Sequence, residues 1–221
     1  ATRGGGPAPG VVRAFRPVRL TLTPAAPGPV VRYTTDGTPP TITSPAADGP
    51  VAVEKTTAVR FASFDAAGRR GPERCVQVTM YPTRAAVDPG PTRAGLELRW
   101  FAAGADRATA TPDGKRAVAG FPATAAELPP KRPAVLSGFV RVPEAGVYRF
   151  DLPSKEAFRV GTGAEWAVEP TGYFVALEAG WHPLDVAADT KDGKVSVVGP
   201  LKWVGPGGSG PVPADNLAAA K

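Results

Sequence analysis

The sequence predicts an all-β chain in two domains, and three observations carry the all-β prediction. Proline (27) and glycine (26) together approach a quarter of the 221 residues. Between them Val, Thr, Phe, Tyr and Trp fall in short bursts, the pattern of strands separated by turns. Within those bursts apolar and polar residues alternate with the period of two expected of half-buried strands. Charge is divided unevenly: residues 1–93 hold 12 Lys and Arg against 6 Asp and Glu, whereas residues 94–221 hold 14 against 14. A boundary near residue 90 follows, where "PTRAAVDPGPTRAG" (82–95) is proline-punctuated and aperiodic, as a semi-rigid linker is. The domains are then 15–82 and 94–221, with a loose Gly/Pro-rich lead over 1–14 and a linker over 83–93.

In the first domain "VRLTLTP" (18–24) and "PVVRYTTDG" (29–37) alternate as strands. "GPVAVE" (49–54), "TTAVRFASFD" (56–65) and "RCVQVTMYP" (74–82) complete five short strands, a small sandwich pattern. Alternation places Val31 with Tyr33, and Val59 with Phe61, on the inner face, and sends Arg32 and Arg60 outward. In the second domain "SGFVRVPEAGVYRFDLPSKEAF" (137–158) reads as a hairpin about a Pro-Glu-Ala-Gly turn. Val140, Val142, Tyr148, Phe150 and Leu152 share one parity of that hairpin, with Arg141 and Arg149 at the alternate, solvent-facing positions.

Composition removes several chemistries. One Cys (Cys75), one His (His182), one Asn and one Met exclude intrachain disulfides and Cys/His zinc sites by counting. Cys75 in "RCVQVTMY" reads as a small buried hydrophobe, and His182 has no identifiable nucleophile to serve. "GPGGSG" (205–210) matches a phosphate-loop spelling but runs into "PVPADN" rather than a helix, so it reads as a loop. Asp185, Asp189 and Asp192 look like a carboxylate cluster, but "DTKDGK" (189–194) reads as a hairpin turn rather than a metal site. Neither a cofactor, a metal nor an enzymatic activity is expected. Arginines scattered among strands without a base-stacking motif argue against nucleic acid. No apolar run approaches the roughly 20 residues of a membrane-spanning helix. The start, "ATRGGGPAPG", lacks a signal-peptide profile, so either a leader has been removed or the chain is a piece of a longer protein.

The stretch "YTTDGTPPTITSPAADGPVAV" is similar to the repeat at the C-terminal end of chitobiases and β-hexosaminidases, also called the fibronectin-III-associated domain. Tyr33, Thr34, Asp36, Gly37, Thr38, Pro40, Thr41, Ser44, Gly49 and Pro50 fit its pattern in order, and the resemblance covers about residues 15–82. It implies a small immunoglobulin/fibronectin-like sandwich. Physics accounts for the motif without a ligand: Asp-Gly and the hydroxyls of Thr38, Thr41 and Ser44 suit a long hydrogen-bonded turn.

In the second domain "GLELRWF", "LSGFVRVPEAGVYRFDLPSKEAFRV", "GYFVALEAGWHPLDVAA" and "LKWVGPGGSGPVPADNL" resemble, in order and spacing, a protective-antigen-type (PA-fourteen) domain over residues 94–217. The resemblance implies a second β-sandwich, in a family found in glycosidases, toxins and adhesins, many of whose members are thought to bind carbohydrate. In its fungal adhesin branch two adjacent aspartates hold a calcium ion that holds the sugar. Here Ser154, Lys155 and Glu156 stand in that place, and Lys155 would repel a cation.

Sugar-binding modules stack aromatic rings on pyranose faces and hydrogen-bond the hydroxyls. Trp166, Tyr173 and Trp181, with Glu165 and Glu169 as acceptors, are therefore the candidate ligand-binding residues, while Trp100 and Trp203 read as core. Arg32, Arg60, Arg69, Arg70 and Arg74 form an alternative surface for an acidic glycan. The resemblances imply a non-catalytic carbohydrate-binding or accessory module of an extracytoplasmic carbohydrate-active enzyme, secreted, periplasmic or at the cell surface. Its partners would be a polysaccharide and a catalytic domain of the same polypeptide. The alternative is a structural spacer or protein-interaction and adhesion module without sugar affinity.

Overall fold

The computed structural model describes residues 10–24, 27–107, 109–121, 132–152, 157–163, 172–188, 190–191, 194–195, 199–206 and 208–221. Among the described residues the regular structure is β-strand, apart from a single 3-10 turn at Ala214–Asn216. The all-β expectation holds, and among the described residues no helix is long and apolar enough to cross a membrane. The chain divides into two compact units, Ala1–Pro82 and Thr83–Lys221.

The first unit contains β1 (Val11–Ala14), β2 (Val18–Leu20), β3 (Val30–Thr34), β4 (Val51–Val53), β5 (Thr57–Phe64) and β6 (Arg74–Met80). A four-stranded sheet in the order β1-β6-β5-β3 faces the antiparallel pair β2-β4. Val31, Val59, Phe61, Val76 and Val78 from the sheet meet Leu20, Val51 and Val53 from the pair, with Leu22 beside them. Val59 and Val78 are fully buried, each contributing about 1.5–3 kcal/mol by leaving water. Two expectations change. The lead is not loose throughout, because Val11–Ala14 pairs in parallel with Gln77–Met80. Cys75 is exposed rather than buried, since Val76 and Val78 occupy the inward parity of β6 and leave Cys75 on the other face.

The second unit begins in the stretch expected to be a linker. There β7 (Thr83–Arg84) pairs with β14 (Tyr173–Leu177), and β8 (Thr92–Ala94) pairs with β20 (Leu217–Ala220). Between them Val87 donates its amide to the Trp181 carbonyl at 2.9 Å. These long-range bonds, rather than local periodicity, order residues 83–94. The remaining strands are β9 (Leu96–Trp100), β10 (Gly114–Val118), β11 (Ala134–Val142), β12 (Gly146–Asp151), β13 (Phe158–Val160), β15 (Gly180–Ala188), β16 (Thr190–Lys191), β17 (Lys194–Val195), β18 (Lys202–Gly205) and β19 (Gly208–Pro211). One sheet runs β10-β9-β11-β15-β13, with β20 and β8 attached through β11; the other runs β19-β18-β12-β14-β7. Leu96, Leu98, Leu136, Val140, Leu184 and Val186 of the first sheet pack on Tyr148, Phe150, Val175, Leu177 and Trp203 of the second, which makes a sandwich.

Residues 137–158 are not a hairpin. β11 pairs with β9, β15 and β20, whereas β12 pairs with β14 and β18, so the chain crosses from one sheet to the other at residues 143–145. Val140 and Val142 therefore face Tyr148 and Phe150 across the core instead of standing beside them on one wall. The Tyr148 hydroxyl donates to the Glu144 carbonyl at 2.7 Å and ties the crossing down. Halfway along β11 its partner changes, from β9 at Ala134–Ser137 to β20 at Phe139–Val140. Gly138 stands at the change, where a Cβ would collide with the Ala218 carbonyl and the Leu96 side chain.

Candidate functional site

The sequence-predicted aromatic residues separate. Tyr173 opens β14 in the five-stranded sheet, half-buried, its ring against the core and edge-on to Phe158 at 5.5 Å. Trp181 lies in β15 of the other sheet, half-buried and directly opposite Arg141. Tyr173 is about 13 Å of strand from the turn that Trp181 adjoins, so the two rings do not make one platform. Trp166, Glu165 and Glu169 lie outside the described residues, as do Ser154, Lys155 and Glu156 and the pair Asp189 and Asp192. Trp203 is core, and Trp100 is half-buried against it. Gly205 of β18 pairs with Gly208 of β19, so the described part of "GPGGSG" connects strand to strand rather than entering a helix.

His182 is fully buried, and its Nε2 lies 2.8 Å from the Glu178 carbonyl. Donation to that carbonyl leaves Nδ1 as a lone-pair acceptor, and Nδ1 has no partner among the described residues. Burial pushes its pKa below the ordinary 6.5, against the opposing pull of the Glu178 carbonyl. Among the described residues no group of three or more His, Cys, Asp or Glu is placed to hold a metal.

The first-unit arginines are engaged locally. Arg60 binds Glu73 through Nε at 2.6 Å and donates Nη1 to the Gly37 carbonyl at 2.8 Å. Arg70 pairs with the same Glu73, and Arg69 Nε lies 2.7 Å from Asp65. Arg32 is only half-exposed and donates to the Ser44 carbonyl at 2.6 Å, bracing the long turn. That turn is closed as its side chains suggest. Asp36 accepts from the Thr38 amide at 2.9 Å and hydroxyl at 2.6 Å, and Ser44 Oγ accepts from the Thr41 amide at 2.9 Å. Arg74 is exposed and borders a shallow apolar hollow with Pro29, Phe61 and Pro72.

A site that the sequence reading missed lies on the outer face of the seven-stranded sheet. Register brings Ser137 of β11 between Glu97 of β9 and Asp185 of β15, and Phe139 opposite Pro183. With Arg99 and Ala220 these residues line a groove of about 250 Å³. Arg99 Nε bonds Glu97 at 3.0 Å, Lys115 lies 3.4 Å and Arg93 3.6 Å from the same carboxylate, and Arg159 bonds Asp185 at 2.7 Å. Burial opposes ionisation of Glu97, but Arg99 and Lys115 outweigh it and hold its carboxyl below the usual range. Ser137 is 95% buried by residue (5% exposed), and its Oγ has no hydrogen-bond partner among the described residues. Parity was the available signal in two strands: positions 97, 183 and 185 alternate with buried neighbours, but pairing register is needed to see them with Ser137 and Phe139 as one surface.

Residues 7–73 match the family model of the chitobiase/β-hexosaminidase C-terminal domain. That match lies within the first unit. Among solved structures the chain is similar to an anti-sigma factor domain-containing protein, at 15% identity and a TM-score of 0.43 over 93% of this chain and 79% of that one. A second protein of that description, from Clostridium clariflavum, gives 15% identity and 0.40 over 92% and 78%. The PA14 domain of the antifreeze protein MpAFP gives 12% identity and 0.28 over 100% and 98%. No curated protein matches the chain.

Proposed function

We propose that this chain is a non-catalytic, carbohydrate-binding accessory module of an extracytoplasmic carbohydrate-active enzyme, holding polysaccharide near a catalytic domain of the same polypeptide. The match of residues 7–73 to a domain named for chitobiases and hexosaminidases carries that reading. The second unit adds a groove in which an aromatic ring and apolar surface stand beside charged side chains, the kind of surface on which sugars settle. The test is titration of neutral and acidic glycans at low and high salt with wild type, Trp166→Ala and Trp181→Ala. Stacking persists at high ionic strength, whereas multivalent charge pairing weakens as the Debye length shrinks. Binding that survives both substitutions but collapses with salt moves the site to the arginines. Hydrolysis of aryl glycosides that disappears on mutating one carboxylate overturns the non-catalytic assignment.

A second reading, a spacer or adhesion element without sugar affinity, is favoured by one observation. Arg32, Arg60, Arg69 and Arg70 are bonded within the first unit, which diminishes the surface available to an acidic glycan. Absence of binding under every condition selects that reading.

A further inference from the structure

A buried hydroxyl without a partner destabilises the fold that contains it. Among the described residues Ser137 Oγ has no partner, and Ser137 lines a groove that also exposes Phe139 and Pro183 between two carboxylates. Both carboxylates are already matched, Glu97 by Arg99, Lys115 and Arg93, and Asp185 by Arg159. A cationic ligand would meet four basic groups that have already taken the available charge. An anionic one would be brought against the two carboxylates lining the groove. An apolar ligand would leave Ser137 unsatisfied. What fits is an uncharged polyol: hydroxyls that donate to Glu97 and Asp185, an oxygen that accepts from Arg99, a hydroxyl paired with Ser137, and one apolar face laid on Phe139 and Pro183. A groove of about 250 Å³, below the usual range of drug-sized pockets, suits one ring rather than a long segment.

We propose that this groove is a subsite for a single pyranose ring of a neutral glycan, an assignment that rests on the carbohydrate reading above and locates it. Trp181 lies on the same parity of β15, two residues from Pro183 and about 7 Å along the strand, where the next sugar of the oligomer would pass. Ser137 in this arrangement is a binding residue retained at the expense of stability, the trade-off common at functional sites.

The experiment is calorimetric titration of the full chain with cellotetraose, xylotetraose, chitotetraose and tetragalacturonate, alongside thermal melts, for wild type, Ser137→Ala and Phe139→Ala. The expected result is binding of at least one neutral tetramer, weakened tenfold or more by each substitution. Ser137→Ala should at the same time keep or raise Tm, by up to about 3 °C, a combination that a structural hydroxyl would not give. Neutral binding unchanged by both substitutions overturns the groove and leaves the carbohydrate reading intact. Preference for tetragalacturonate overturns the uncharged assignment. A Tm several degrees lower in Ser137→Ala makes the hydroxyl structural and defeats the proposal. No binding of any tetramer defeats the carbohydrate reading itself, and the subsite with it.

Discussion

Two carboxylates, one in each unit, gather several cations, and their surroundings differ. In the first unit Glu73 takes Arg60 and Arg70, and Arg60 also reaches the Gly37 carbonyl, so the group closes on itself. In the second unit Glu97 takes Arg93, Arg99 and Lys115, but the neighbouring Ser137 hydroxyl has no partner among the described residues and stands beside an open groove. Charge clustering alone thus does not mark a binding surface. Incomplete hydrogen bonding next to a cavity is the more selective sign, because each buried unmet group costs stability that a merely structural cluster has no reason to retain.

The comparison can be pressed hardest by destabilising one unit alone. All four tryptophans lie in residues 83–221, so tryptophan fluorescence follows the second unit while circular dichroism follows both. Phe150 is fully buried and touches the Tyr148 and Trp203 rings at 6.2 and 6.5 Å between centroids. Phe150→Ala should cost about 3–5 kcal/mol. Its fluorescence-detected denaturation should move to lower urea, with a residual dichroism transition at the wild-type position of the first unit. A single merged shift would mean that the units unfold together.

Next in size is pH. His182 has its pKa lowered by burial, so the unfolded second unit binds more protons than the folded one below about 6.5. Its stability is full above that value and declines as pH falls towards the folded pKa. The first unit has no histidine. Its perturbed groups are Asp36, lowered by the Thr38 hydroxyl and amide, Asp65, lowered by the Arg69 amide and guanidinium, and Glu73, lowered chiefly by its hydrogen bond to Arg60 despite desolvation. Their stabilisation is present above the ordinary carboxylate values of 3.8 and 4.5 and is lost only as pH falls through the folded ones. Melts between pH 7.5 and 5 should therefore lower the fluorescence transition while the first unit's stays level, and His182→Gln should flatten the slope. Equal slopes in both units would remove His182 as the cause.

A smaller effect is expected from Glu73→Gln. Without the carboxylate charge, Arg60 and Arg70 lose their ion pairs, and the first unit's Tm should drop by a few degrees with the fluorescence transition unchanged. Smallest is Asp36→Ala, which takes away two bonds from an exposed turn. Faster amide exchange at Thr38 should appear with Tm within about a degree of wild type, and a large Tm loss would give this turn a greater part in the fold than its exposure implies.

Much of the architecture was legible because strand parity is a local property. Val31 and Val59 were placed inward from alternation alone, and the five strands expected in the first unit correspond to β2–β6. What failed was partnership. The alternation in β11 and β12 is the same whether two strands share a sheet or face each other across a core, so the crossing at 143–145 reads as a hairpin. Strands of two or three residues such as β7 and β8 are too short to show a period and exist through distant pairing. The groove suffers from the same blindness, since Glu97, Ser137 and Asp185 are unremarkable apart and meet only through register. Cys75 is a different case: the parity of Val76 and Val78 already placed it outside.

The change of partner at Gly138 also sets an order of events during translation. β20 supplies Leu217 to the core of the second unit and pairs with both β11 and β8, so its sheet cannot be completed until residue 220 has emerged. The first unit needs nothing beyond β6, which ends at Met80. At about 5–20 residues per second the ribosome takes on the order of ten seconds to add the remainder. Throughout that interval a finished first unit is followed by a growing segment whose β8 edge and β11 edge await their shared partner. Pairing of residues 92–94 with 218–220 is among the most distant in the sequence, which makes the second unit the slower folder and the one exposed to strand exchange between nascent chains.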